Sequence, residues 1–130
     1  MITVPKKVEY AIVFVVYLAK KQGKSVSLSD AARVLSLPNR FLAQIASNLK
    51  QAGIITSKEG KSGGYEIGAD FDKKSVYDLV EALGENKGLV ECLTTDGTCE
   101  RGEECRIKKV WSRVEKSMLG ELKKIKLNEI

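Results

Sequence analysis

Residues 27–67 read SLSDAARVLSLPNRFLAQIASNLKQAGIITSKEGKSGGYEI, and the order of signals in this stretch decides the fold. Ser27-Leu28-Ser29-Asp30 has the form of a helix start, with a serine to cap an orphan backbone N–H and an acid near the positive helix end. A short helix through Ala31, Ala32 and Leu35 follows. Ser36-Leu37-Pro38 breaks it, and Leu42, Ile45, Ala46 and Leu49 then recur at helical spacing, which predicts a second helix over 39–52 with Gly53 as its stop. Two helices joined by so short a turn form a candidate helix-turn-helix. The outer face of the second helix offers Asn39, Arg40, Gln44, Ser47 and Asn48. Asparagine and glutamine pair bidentately with adenine and arginine with guanine, so these five are the candidate DNA-binding residues; a solvated helix face is the alternative.

The next residues favour DNA. Ile54 to Lys58 has β-propensity, Glu59 to Gly64 supplies turn residues, and Tyr65-Glu66-Ile67 alternates back, which predicts a hairpin. A hairpin directly after a helix-turn-helix is a wing, and Lys58 and Lys61 are its candidate phosphate or minor-groove contacts. The GKSGG run lacks the spacing of a phosphate-binding loop and leads into a strand rather than a helix.

Upstream, Val8, Ala11, Ile12, Val15, Leu18 and Ala19 predict an amphipathic helix over 5–21. Glu9 interrupts its apolar run and Lys20-Lys21 closes it without a small-residue cleavage site, so it does not read as a signal peptide. Downstream, Val76, Leu79, Val80 and Leu83 predict a helix over 75–83. A long helix over about 105–127 carries Ile107, Trp111, Val114, Met118, Leu122 and Ile125 at spacings of four, three, four, four and three. Such a seam reads as a dimerisation helix, with packing inside its own monomer as the alternative.

Between the last two helices lie all three cysteines of the chain, Cys92, Cys99 and Cys105, in an acidic, glycine-bearing loop spaced C-x6-C-x5-C. Soft thiolates select iron–sulfur clusters, zinc or cuprous ion, and this spacing is wider than the C-x2-C knuckle of most structural zinc sites. An odd cysteine count argues against a secreted disulfide framework and for a cytoplasmic protein.

Length and charge bound the rest. The chain has 130 residues and a formal net charge of +5, enough for one small domain with an appended arm. Residues 1–60 carry nine Lys/Arg and three Asp/Glu, hence +6, whereas residues 61–130 carry thirteen and fourteen, hence −1. The half with the helix-turn-helix is therefore the half suited to a polyanion. No run of about 20 apolar residues is present to span a membrane. With no histidine, no G-x-S-x-G and no phosphate loop, an enzyme is not expected. An electron carrier would use the cysteines but leave the basic half without a purpose.

Four segments, VEYAIVFVVYLA, LPNRFLAQIASNLKQAGII, SGGYEIG and the cysteine triplet with its following helix, together resemble the IscR/NsrR/CymR family of winged-helix transcription regulators. The resemblance implies a mainly α fold: a winged helix-turn-helix over 1–73, then a sensor loop (about 85–105) and dimerisation helix (about 105–127) within 74–130. It implies a homodimeric, cytoplasmic regulator, a repressor on a palindromic double-stranded operator, that senses iron–sulfur status, redox state or nitric oxide. Cys92, Cys99 and Cys105 would hold a 2Fe-2S or 4Fe-4S cluster, with Glu9 as fourth ligand, since the IscR-type histidine position is Lys108 here. A zinc-clipped or cluster-free regulator with thiol or small-molecule sensing is the alternative. The wing also departs from the family, having Glu59 where an arginine is common.

Overall fold

The computed structural model describes residues 3–61, 63–86 and 106–130. Helix α1 spans Lys6–Lys20, α2 Leu28–Leu35 and α3 Asn39–Gln51. Strands β1 (Ile55–Lys58) and β2 (Gly64–Ile67) form an antiparallel hairpin, and a 3-10 turn over Phe71–Lys73 leads into α4, Val76–Ala82. Helix α5 then runs over Arg106–Lys124, and a second 3-10 turn covers Leu127–Glu129. This is the mainly helical winged-helix architecture expected from the sequence.

Helices α1, α2 and α4 start where their local chemistry stops extended backbone. Pro5 precedes α1 with φ −61° and has no N–H to leave unpaired. Ser27 caps α2, its hydroxyl accepting from the Asp30 N–H at 3.1 Å. Ser75 and Asp78 form a full reciprocal capping box on α4, with the Ser75 N–H donating to the Asp78 carboxylate at 2.8 Å. That box holds a seven-residue helix too short to persist on propensity alone.

One apolar core joins these elements. Phe14, Val15 and Leu18 of α1, Ala31 of α2, Leu42, Ile45 and Leu49 of α3, Ile54 and Ile55 at the hairpin and Leu79 of α4 are all buried in it. Burying side chains of this size contributes roughly 1.5–3 kcal/mol each before the entropy of ordering them is subtracted. Tyr10 and Phe41 meet edge to face at 5.5 Å, linking α1 to α3 at the margin of this core.

The C-terminal end differs from the expected helix. Helix α5 stops at Lys124, three residues early, because the chain turns to bond the start of α4. The Val76 N–H donates to the Ile125 carbonyl and the Leu127 N–H to the Lys74 carbonyl, both at 2.9 Å. Leu127 then enters the core, 1% exposed.

Along the rest of α5 no residue is fully buried. Ile107, Val110, Val114 and Ile125 are exposed, Trp111 and Met118 half-buried, and Leu122 packs on the chain's own core. The expected seam is therefore split: one member leans inward and most of the rest face outward. No described helix is long and apolar enough to cross a membrane.

Candidate nucleic-acid interface

The interface begins at the turn between α2 and α3. Ser36 closes α2 in the left-handed region with φ 55°, and the Leu37 N–H reaches back to the Ala32 carbonyl at 2.9 Å. This left-handed residue and the bond after it satisfy the end of α2 and aim the chain so that Pro38 caps the start of α3. The buried row Leu42, Ile45, Ala46 and Leu49 then fixes α3 about its own axis. Its opposite face has one possible orientation, toward solvent.

On that face Asn39, Arg40, Gln44 and Ser47 are exposed, and Asn48 is half-buried at its edge. Four of the five residues singled out from sequence thus share one exposed strip. The structure adds Ala43, Lys50 and Gln51 to it. Ala43 sits between Arg40 and Ser47, where a small apolar side chain lets the helix approach a groove and touch a thymine methyl. The signal for these three was the same helical period, applied to solvent-facing positions. From Asn39 to Gln51 the helix has Arg40 and Lys50 and no acid.

The base of the wing is tied to the helices. Val26 pairs with Tyr65 through two backbone bonds of 2.9 and 2.7 Å, and the Tyr65 ring meets Phe14 edge to face at 6.3 Å. A side chain at Gly64 would collide with the Val26 carbonyl, so glycine is required for this close approach. Ile55 pairs with Ile67 and Lys58 with Gly64.

Charge in the wing is arranged quite differently from charge on α3. Lys58 is exposed, but its Nζ lies 3.4 Å from the Glu66 carboxylate, whose side chain is only 17% exposed. Glu59, Gly60 and Lys61 at the tip are exposed. Lys61 has no ion-pair partner among the described residues. Residues 55–67 hence hold two lysines and two glutamates, a formal charge of zero.

Of the expected metal ligands, Cys92, Cys99 and Cys105 lie outside the described residues. Glu9 is described, in the first turn of α1, exposed and bonded to Lys6 Nζ at 3.0 Å. That bond holds the Lys6 ammonium above the usual lysine range. Among the described residues no three metal-binding side chains converge. The donor chemistry fits a cluster all the same: three soft thiolates, plus an exposed carboxylate free to exchange an ammonium for a metal.

Comparison with known proteins follows the same line as the geometry. The Rrf2 family, described as "Iron-dependent Transcriptional regulator", matches residues 4–130. The chain belongs to the Rrf2 family. The transcriptional regulator IscR of Vibrio vulnificus is 29% identical over 125 residues, covering 95% of this chain and 74% of that protein. An Aquifex aeolicus relative, 29% identical over 92 residues, is matched over 64% of its own length. Among solved structures, CymR, the global cysteine regulator of B. subtilis, superposes with a TM-score of 0.77 at 28% identity, covering 98% of this chain and 95% of CymR. IscR of T. potens does so with a TM-score of 0.75 at 26% identity, covering 98% and 84%. As an Rrf2 member the chain is a winged-helix transcription regulator and not an enzyme. In a helix-turn-helix fold the second helix enters the major groove, and in this chain that second helix is α3.

Proposed function

We propose that this chain is a dimeric repressor that reads a palindromic operator with α3 and adjusts its affinity through a cluster held by Cys92, Cys99, Cys105 and Glu9. The observation that carries the DNA half is the α3 strip: Asn39, Arg40, Gln44 and Ser47 exposed together on a helix without acids. Selection from a random duplex library should recover an inverted repeat. Arg40→Ala with Gln44→Ala should abolish its enrichment, and an unchanged pool from that double variant would remove α3 from the groove.

Dimerisation is supported by α5, where Ile107, Val110 and Val114 expose apolar surface that water does not favour. Placing a charge in such a seam is costly unless it is paired, so Met118→Glu should yield monomer in sedimentation. Persistence of the dimer would place the interface elsewhere.

The sensing half rests on the three thiols and on the iron-dependence in the family's description. A bound cluster supplies an iron that oxygen or nitric oxide attacks. The cysteines would hold it, while Glu9 would complete the iron that lacks a thiolate. A two-state coupling then requires that the two loop states differ in operator affinity. A second reading is a zinc-clipped or cluster-free regulator with thiol-based or small-molecule sensing; likeness to CymR, a cysteine regulator, is compatible with it. Visible absorption of anaerobically purified protein, with iron and sulfide counts, separates the two: a chromophore lost in each single Cys→Ala variant supports the cluster, and a colourless zinc protein supports the clip. Either way a DNA regulator of this kind acts in the cytoplasm.

A further inference from the structure

A wing enters a minor groove most favourably when it is cationic and the groove is narrow, because narrow A-tract grooves concentrate negative potential. The wing of this chain does not meet that requirement. Its Lys58 ammonium faces the Glu66 carboxylate at 3.4 Å, and the Lys61 charge at the tip stands two residues from the exposed Glu59.

The register explains how Lys58 is captured. Lys58 lies opposite Gly64 and Glu66 lies opposite Thr56, which puts Lys58, Gly64 and Glu66 on one face of the hairpin. The Val26 backbone occupies the place where a side chain at Gly64 would lie, so Lys58 has no side chain directly opposite it. Its Nζ lies instead along the diagonal toward Glu66, a reach that long side chains make across a pair of strands.

Resting on the DNA-binding reading above, we infer that Glu59 is a specificity-determining residue: its carboxylate offsets Lys61 at the wing tip and removes the preference for narrow, A·T-rich minor grooves that a cationic wing has. Glu66 acts in the same direction by holding Lys58. Operator choice is then left to α3, and the base pairs beneath the wing are free to vary.

The test uses the full chain and a random duplex library. Sites selected by the wild type are rebuilt as two duplexes with identical half-sites, one with A-tracts and one with mixed sequence where the wings fall. The wild type should bind the A-tract duplex no more than about twofold better than the mixed one. Glu59→Gln should raise that ratio about fivefold, the scale of one exposed charge, whereas Glu59→Asp should leave it at the wild-type value. Glu66→Gln should raise it as well, by freeing Lys58. Because the charges are exposed, the effect should shrink as salt rises. A wild-type ratio above about twofold overturns the inference, and so does a Glu59→Gln increase smaller than about twofold. Selection that recovers no common half-site at all overturns the DNA-binding reading, and the inference with it.

Discussion

Helix α3 and the wing lie side by side on the surface that a winged helix turns to DNA, yet they hold charge in opposite ways. On α3, Arg40 and Lys50 stand exposed with no acid in the helix. In the wing, Lys58 has the Glu66 carboxylate at 3.4 Å, while Lys61 at the tip has no ion-pair partner among the described residues and stands two residues from the exposed Glu59. Net charge by itself does not distinguish a surface that binds phosphate from one that does not. What matters is which cations are already paired, since a lysine held by a carboxylate releases no counterion when DNA arrives.

The largest expected effect removes the support beneath α3. Leu42 is 1% exposed in the core, so Leu42→Ala should cost about 2–5 kcal/mol of stability through lost transfer energy and a residual cavity. Thermal unfolding followed by circular dichroism should show the loss, and α3 and the wing should fail together. Unchanged melting would mean that α3 is not seated on this core.

Next come the base-edge candidates. Arg40→Ala and Gln44→Ala should each weaken a selected operator by about 1–3 kcal/mol while leaving the melting temperature in place, since both are exposed. Effects confined to non-specific DNA would reassign them to the backbone.

The smallest effects separate the two wing lysines. Lys61→Ala should reduce the salt slope of operator binding by about one unit, whereas Lys58→Ala should change it by much less, because Lys58 enters the complex already paired. Equal slopes for the two variants would show that the Glu66 pair opens on binding.

Much of this division was legible in the sequence, for a definite physical reason. A helix on a core must repeat every 3.6 residues, so Leu42, Ile45, Ala46 and Leu49 located the hidden face of α3 and, by difference, its exposed strip. The Lys58–Glu66 pair has no such signature, because it depends on the strand register, which sets Lys58 opposite Gly64 and Glu66 opposite Thr56. The same holds at the C-terminus. The bonds from Val76 to Ile125 and from Leu127 to Lys74 join backbone groups far apart in the chain, and backbone donors and acceptors are the same at every non-proline residue. The helical period that outlined α5 says nothing about where such a bridge will end it. Ala43 carries no hydrogen-bonding group and so gives no readout signal in the sequence, although its position on the strip follows from the same period.

Salt-dependent binding of one selected operator by three proteins tests the division of labour between α3 and the wing most directly. These are the wild type, Arg40→Ala/Gln44→Ala and Lys58→Ala/Lys61→Ala. The α3 variant should lose about thirtyfold or more in affinity for the operator over random duplex. The wing variant should keep that ratio and lose about one unit of salt slope. A wing variant that loses more of the specificity ratio than the α3 variant would contradict the account.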